Sequence, residues 1–478
     1  MRQELVIFVN GMRHAIPPGG AFGTLTDFLR RDLSLTGTKV VCAEGDCGSC
    51  TVLVGRSGDD GTIAYRPVCG CILLLGQLDG THVVTVEGLS RGDRLNPVQE
   101  SMVRCHGAQC GYCTPGFVVA LYAMLQTDRR DEAAVCRGLT GNLCRCTGYE
   151  PILRAAMETD VEAIERIDKL YPPQSLAEQM LGLDREPVLI VDGGRSFFKP
   201  VTIEQAAEFR AGNPGGAIVA GGTDLGVQVN KNLRRPEVVM SLLALPELRR
   251  IEAKGGVLRV GATATLSQLQ EAFAEAPEFA HYLEWFGSPQ IRNAGTLAGN
   301  LANGSPIGDL LPPLFVLEAK VELVSTAGRR VVDVNDLYTG YRQTVMRPDE
   351  LIAAVEIPLP RADEIFRLYK VSRRLDLDIS TFSAAIWMRL RDGRIIDCRL
   401  SYGGVGPTVV RLRRTEAALR GKPLDEPTLA SVEPIVQAEI STLSDVRGSS
   451  EYRRLLAGNI LRRFHAEMTG AGGNGNGR

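Results

Sequence analysis

The stretch Cys42-Ala43-Glu44-Gly45-Asp46-Cys47-Gly48-Ser49-Cys50 constrains this chain more than any other. Three thiols at C-x4-C-x2-C, threaded with small and turn-forming residues, have the spacing that presents three thiolates to a [2Fe–2S] cluster. Such a core wants four thiolates, and one loop supplies three only by bending tightly around it. Gly45 and Gly48 allow that bend, because glycine reaches positive φ without steric cost. The fourth thiolate must come from another segment, where Cys69 and Cys71 are the candidates. A structural zinc site would also accept four cysteines, but zinc sites usually pair C-x2–4-C knuckles, so the spacing favours iron–sulfur.

The other cysteines strengthen that reading. Of twelve, eleven precede residue 147 and only Cys398 follows, which marks the N-terminal third as the metal-bearing part. The apolar run Leu5–Val9 is too short for a signal segment or a membrane span, and Arg30-Arg31 reads as part of a helix face. Cysteine in such a chain points to metal and not to disulfides, and the expected location is the cytoplasm. A length of 478 residues suggests about three domains, and 44% apolar with 23% charged residues is ordinary for a soluble protein. A net charge of −2 without a basic stripe argues against a nucleic-acid partner. The five histidines form no ligand pair and read as ordinary surface or core residues.

Taken in order, residues 4–9 and 13–16 alternate around Asn10-Gly11, a strong hairpin signal, and Thr24 with Asp27 opens a helix. With the strand Thr51–Val54 leaving the cysteine loop, residues 1–82 read as a β-grasp, ferredoxin-like domain. Asn96-Pro97-Val98-Gln99 carries a helix cap, a proline at the first turn and a capping-box glutamine. Two further pairs follow, Cys110-x2-Cys113 and Cys144-x-Cys146, each just before an expected helix, Pro115–Gln126 and Pro151 to about Arg166. Two helix N-termini would then face one anionic centre, making a second four-cysteine site in an all-α domain over 88–166. Zinc stays open as its metal when this segment is read alone. Cys105 and Cys136 read as buried small hydrophobes.

Residues 167–190, with Pro172-Pro173, read as a linker. Beyond it cysteine gives way to glycine-rich loops. Gly221-Gly222-Thr223-Asp224 turns off the buried strand Ala217–Ala220, and a second loop runs from Ala294 to Asp309. Bare amides in such turns can cradle a pyrophosphate, although a plain tight turn has the same composition. Asp309 suits either a buried cap or a ligand to a ribityl hydroxyl. Neither loop is a GxGxxG fingerprint, so a Rossmann site is not expected. From 365 to 468, alternating strands around Asp392-Gly393 precede helical runs at 414–420, 426–438 and 449–468. The Gly/Asn-rich tail 469–478 is expected to be disordered.

These motifs together resemble the small, iron–sulfur and flavin subunits of bacterial xanthine dehydrogenases, within the molybdenum hydroxylases. The resemblance runs to about residue 468. It rests on Gly37-Thr38-Lys39, the first cysteine loop, Gln109–Gly116, Gly141–Tyr149, Gly221–Asp224 and Asn303–Asp309. It implies an α+β multidomain chain with four parts. These are a β-grasp [2Fe–2S] domain, an all-α [2Fe–2S] domain, an α+β FAD-binding domain over 191–364 of the vanillyl-alcohol-oxidase type, and a C-terminal α+β flavoprotein domain over 365–468. It assigns Cys42, Cys47, Cys50 and a fourth cysteine to one cluster, and Cys110, Cys113, Cys144 and Cys146 to the other. The doublet Cys69-Gly70-Cys71 stands where a single cysteine is usual. Counting back from Thr85-Val86-Glu87-Gly88, as the family does, points to Cys71. FAD is implied at Ile218, Val219, Ala220, Gly221, Gly222, Thr223, Asp224, Leu225, Phe286, Thr296, Asn300, Asp309, Ile352 and Lys370. The implied activity is a relay in hypoxanthine and xanthine oxidation to urate. Electrons leave molybdopterin on a large partner subunit, pass both clusters and FAD, and reach NAD+, in a heterotetramer of two small and two large subunits. The hydroxylation machinery would lie on the partner, so no catalytic acid or base is assigned here. A relay for an aldehyde, nicotinate or another heterocycle is the nearest alternative, and a zinc-stabilised assembly or binding protein is one of a different class.

Overall fold

The computed structural model describes residues 1–58, 60–126, 131–274 and 276–470. Most of the expected disordered tail, 471–478, lies outside the described residues, while Thr469 ends the last helix and Gly470 closes it at φ 68°. The chain divides into two compact units. One holds Met1–Pro246 with Gly287–Gly295, and the other holds Glu247–Phe286 with the chain from Thr296 onward. Residues of the expected flavin domain therefore occur in both.

In the first unit, the N-terminal sheet has the order Met12–Ile16, Leu5–Val9, His82–Val84, Thr51–Ser57, Ile63–Cys69. Leu5–Val9 runs antiparallel to its hairpin neighbour and parallel to His82–Val84, which is β-grasp topology. Leu5, Ile7 and Val9 point to a core shared with Leu25, Leu29, Val52 and Val54. Thr24 caps the short helix below, its hydroxyl accepting from the Asp27 N–H at 3.2 Å. The sheet order places the cysteine loop and the end of Ile63–Cys69 at the same edge, because Thr51 pairs with Cys69.

Helices Pro97–Arg104, Thr114–Leu125, Glu132–Gly138 and Glu150–Glu158 enclose the next core around Phe117, Leu121, Tyr122 and Ile152. Asn96 caps the first, accepting from Val98 N–H at 3.0 Å, while Gln99 accepts from Asn96 N–H at 2.8 Å. The last helix is shorter than the sequence suggests. Thr159 turns extended at ψ 128° and Asp160 draws the Glu162 N–H to its side chain, so the run to about Arg166 breaks at Glu158. The expected linker contains a packed helix, Pro173–Asp184, whose Leu176 and Met180 bury against Val6 and Phe8. A four-stranded sheet follows, in the order Val188–Asp192, Arg195–Lys199, Val238–Ser241, Ala217–Val219. Asp79 ties it to the N-terminal sheet, with Lys199 at 2.5 Å and Arg2 at 2.7 Å in a buried ion cluster.

The second unit holds an antiparallel sheet in the order Ile251–Lys254, Val257–Gly261, Leu351–Pro358, Lys320–Ser325, Gly328–Asp333. A second antiparallel sheet runs Ile365–Val371, Phe382–Arg391, Arg394–Gly403, Val410–Arg411. Its central hairpin turns at Asp392-Gly393, with φ of 49° and 70°. Helices Arg413–Leu419, Glu426–Glu439 and Ser450–Thr469 cover it, burying Leu419, Val432, Val436 and Phe464.

Candidate iron–sulfur and flavin-binding sites

The first cysteine loop is a shell of turns around its own thiols. Gly45 and Gly48 sit at φ 78° and 67°. A Cβ on Gly48 would stand 2.1 Å from the Gly141 carbonyl, so only glycine fits. Cys47, Cys50, Cys69 and Cys71 are buried and Cys42 half-buried. Hydrogen bonds with the Cys47 and Cys71 thiols hold Cys42 far below its ordinary value, while contact with Cys42 and then Cys50 pushes Cys71 up. Cys50 is raised by its contacts, the Cys69 thiol first. The thiols thus form a contact chain, Cys47–Cys42–Cys71–Cys50–Cys69. Backbone N–H groups aim inward at it: Glu44 and Asp46 at Cys42, Ser49 at Cys47, Gly45 at Cys71 and Cys71 at Cys50. Amides pointed at sulfur favour the anionic form, as a thiolate-ligated cluster requires. The sequence argument that Cys69 and Cys71 share one strand face needs correction. The strand ends at Cys69, and Cys71 lies in the 3-10 turn Gly70–Ile72.

The second group is built at two helix starts. Cys110 and Cys113 precede Thr114–Leu125, and Cys144 and Cys146 precede Glu150–Glu158. The Cys146 and Cys110 sulfurs approach to 3.2 Å, and Cys113 meets Cys144. Burial, then the Cys144 thiol, pushes Cys113 up to about 12. Amides again face the thiols, Tyr112 N–H at Cys110 and the Thr147 and Cys146 N–H groups at Cys144. Cys110 and Cys146 are exposed, in contrast to the first group. Cys105 is buried as expected, donating to Glu158 Oε2 at 3.2 Å, but Cys136 is exposed on the outer face of Glu132–Gly138.

Among the described residues, no three His, Cys, Asp or Glu side chains stand where they could hold one metal ion. The thiols instead meet in pairs or in a chain. Two irons, each taking two thiolates, fit that arrangement and that all-thiol donor set.

The two cysteine loops touch through their backbones. Leu143 N–H donates to the Cys47 carbonyl at 3.0 Å, and Asn142 Nδ2 donates to the Gly48 carbonyl at 3.3 Å. Gln290 Nε2 braces the contact, donating to Asn142 Oδ1 at 2.8 Å and to Thr51 Oγ1 at 3.3 Å. Sequence reasoning missed Asn142 and Gln290 as bracing residues. Asn142 stood inside a recognised motif, but nothing near Gln290 signals a partner 148 positions away.

The expected flavin residues fall into two groups. In the first unit, Ile218 and Val219 end a strand and Ala220-Gly221-Gly222 turns into helix Thr223–Asn230, which carries Asp224 and Leu225. Gly222 has φ 74°, and a Cβ on Gly221 would lie 2.1 Å from the Ala294 carbonyl, so this turn keeps bare amides at a helix start. Gln77 holds it by donating to the Gly221 carbonyl at 3.3 Å. In the second unit, Thr296 caps Leu297–Asn303, accepting from Gly299 N–H at 3.0 Å. Among the described residues Asn300 Oδ1 is buried and meets no hydrogen-bond partner, an acceptor available to a ligand donor. Asp309 is not the cap of the helix that follows, Leu311–Leu317, whose N-cap is Leu310. Its carboxylate accepts from Lys370 Nζ at 2.8 Å and Ser380 Oγ at 2.5 Å, and Lys370 also donates to the Trp285 carbonyl at 2.9 Å. Phe286 follows Trp285 in the chain, and Ile352 is buried on Leu351–Pro358. Ser380 was not legible, being distant in sequence and unremarkable in type.

Residues 85–157 match a [2Fe-2S] binding domain, 193–360 the FAD binding domain in molybdopterin dehydrogenase, and 367–468 the CO dehydrogenase flavoprotein C-terminal domain. Over 96% of its length the chain is 30% identical to xanthine dehydrogenase 1 of Arabidopsis thaliana, covering 39% of that protein. Aldehyde oxidase 4 of Cavia porcellus is 31% identical over 97% of the chain, again with 39% of the relative covered. CO dehydrogenase from Oligotropha carboxidovorans superposes with TM-score 0.54 at 29% identity, over 57% of this chain and 97% of that one. Quinoline 2-oxidoreductase from Pseudomonas putida 86 gives 0.53 at 27% identity, over 57% of this chain and 96% of that one. These matches mark the chain as an iron–sulfur and FAD-binding protein. The chain belongs to the molybdenum hydroxylase family, whose iron–sulfur and flavin domains it carries. It spans about two fifths of the length of the curated relatives it matches. Among the described residues no helix is long and apolar enough to cross a membrane.

Proposed function

We propose that this chain is the electron-transfer subunit of a cytoplasmic xanthine dehydrogenase. In this reading, hypoxanthine and xanthine are oxidised to urate at a molybdopterin centre on a large partner subunit, in an assembly of two small and two large subunits. Cys42, Cys47, Cys50 and Cys71 hold one [2Fe–2S] cluster, and Cys110, Cys113, Cys144 and Cys146 hold the other. FAD takes the Ile218–Leu225 turn, with Phe286, Thr296, Asn300, Asp309, Ile352 and Lys370 as its further residues, and NAD+ is the acceptor. When bound, the clusters supply one-electron transfer and the flavin supplies conversion to hydride chemistry.

The observation that carries this reading is the 3.0 Å hydrogen bond from Leu143 N–H to the Cys47 carbonyl. It joins Leu143, the residue before one ligand, Cys144, to the backbone of another, Cys47. The two centres therefore share a short route of covalent bonds and one hydrogen bond. Around them the chain's own groups keep sulfur anionic: inward amides at both sites, and the Thr147 hydroxyl 3.1 Å from Cys144 Sγ. Asn300 Oδ1 is placed to accept from a flavin donor, while Lys370 and Ser380 fix the orientation of the Asp309 carboxylate by donating to its two oxygens.

The isolated chain is expected to pass electrons from NADH to an artificial dye without hydroxylating xanthine. Adding the large subunit should restore xanthine-dependent reduction of NAD+. Xanthine oxidation by the isolated, molybdenum-free chain would overturn this division of labour. A second reading changes only the substrate to an aldehyde or a heterocycle such as nicotinate. Its support is the aldehyde oxidase, which stands level with the xanthine dehydrogenases in identity. Turnover of an aldehyde but not xanthine by the reassembled enzyme would favour it.

A further inference from the structure

The first site holds one thiol more than a four-thiolate centre uses. We propose that Cys69 is a reserve ligand, placed to complete the first cluster when Cys71 is unavailable. This rests on the cluster reading above. Strand Ile63–Cys69 ends beside the cysteine loop, and Gly70 N–H is pinned to the Cys50 carbonyl at 3.1 Å. Gly70 stands between Cys69 and Cys71 in the chain, so this one hydrogen bond fixes the backbone that carries both thiols against Cys50. Cys50, Cys69 and Cys71 are each 2% exposed and share one buried cluster with Ile72.

The contacts assign the roles. Cys71 meets both Cys42 and Cys50, and Cys69 meets Cys50. In a pairwise arrangement Cys42 and Cys47 would hold one iron, and Cys50 and Cys71 would hold the other. The spare thiol therefore lies beside the thiol that shares an iron with Cys71. Its S–H donates to the Gly45 carbonyl at 3.4 Å. Gly45 N–H, from the same residue, faces Cys71. One glycine thus holds the working thiol through its donor and the reserve thiol through its acceptor. If Cys71 is lost, Cys69 gives its proton to solvent and forms an Fe–S bond in its place, so the iron keeps four sulfur ligands and no electrons are exchanged.

The test uses the full-length chain loaded with iron, in wild type, Cys71→Ala, Cys69→Ala and the double variant. The readouts are iron and sulfide content, and electron paramagnetic resonance of the dithionite-reduced protein. The second cluster and the flavin serve as internal controls of folding. Wild type, Cys69→Ala and Cys71→Ala should all keep about four irons, with the first cluster's signal shifted only in Cys71→Ala, and the double variant should fall to about half. Should Cys71→Ala fail to fold, Cys71→Ser preserves the volume. With Cys69 present its spectrum should be that of an all-thiolate cluster, and with Cys69→Ala added it should become that of an oxygen-ligated one. Equal iron loss in Cys71→Ala and the double variant, or identical spectra in the two serine variants, would overturn the proposal while leaving the cluster reading intact. A wild-type chain without iron at this site would overturn both.

Discussion

The two cysteine sites solve one problem in opposite ways. The first is buried, formed by a loop and a 3-10 turn at a sheet edge, and holds a fifth thiol. The second leaves Cys110 and Cys146 exposed and relies on two helix starts. A buried site gains insulation and spare ligation but depends on exact backbone packing. An exposed site tolerates packing changes and has no reserve.

The largest expected contrast is in ligand loss. Cys146→Ala should abolish the second cluster outright, removing about half the iron, because the remaining nearby thiols are already used. Cys71→Ala at the first site should not. Iron analysis of the two variants side by side checks this.

Packing should show the reverse sensitivity. Gly48→Ala places a Cβ 2.1 Å from the Gly141 carbonyl at φ 67°. Chemical denaturation should show a loss of about 4 kcal/mol or more, with signals from both sites disturbed. A mild effect would mean that the two loops are not held together as tightly as this contact implies.

Acid should loosen the first region before the second. His82 is buried, accepts from Gly11 N–H at 2.9 Å through Nε2 and contacts the Tyr65 hydroxyl at 2.6 Å through Nδ1. Burial lowers its pKa from 6.5 to about 4. The folded state therefore binds fewer protons than the unfolded chain between these values. Stability is full above pH 6.5 and falls as pH drops towards 4, by about 3 kcal/mol in total. His82→Gln should flatten that dependence in pH-resolved denaturation. Smallest is Tyr149→Phe at the second site. It removes the acceptor for Cys144 N–H at 3.0 Å, and should cost about 1 kcal/mol with a slight shift of one cluster signal.

Local chemistry made much of this readable beforehand. Asn10-Gly11, the Thr24 and Asn96 caps and the three cysteine spacings act over a few residues, so sequence alone carries them. The chain's failures of legibility are of one kind. Gln290 bracing Asn142, Ser380 bonding Asp309 and Gln77 holding the Gly221 turn each join distant segments through ordinary polar side chains. Cys136 was misplaced because a short helix can turn a cysteine outward as easily as inward. The linker's helix Pro173–Asp184 was hidden by its own proline pair, which in fact begins it.

The central claim, a chain with two unlike [2Fe–2S] centres and a flavin, is tested most directly by metal and flavin analysis with electron paramagnetic resonance of the reduced protein. The account predicts about four irons, one FAD and negligible zinc per chain, with two separable cluster signals. Stoichiometric zinc with no flavin absorbance would contradict it.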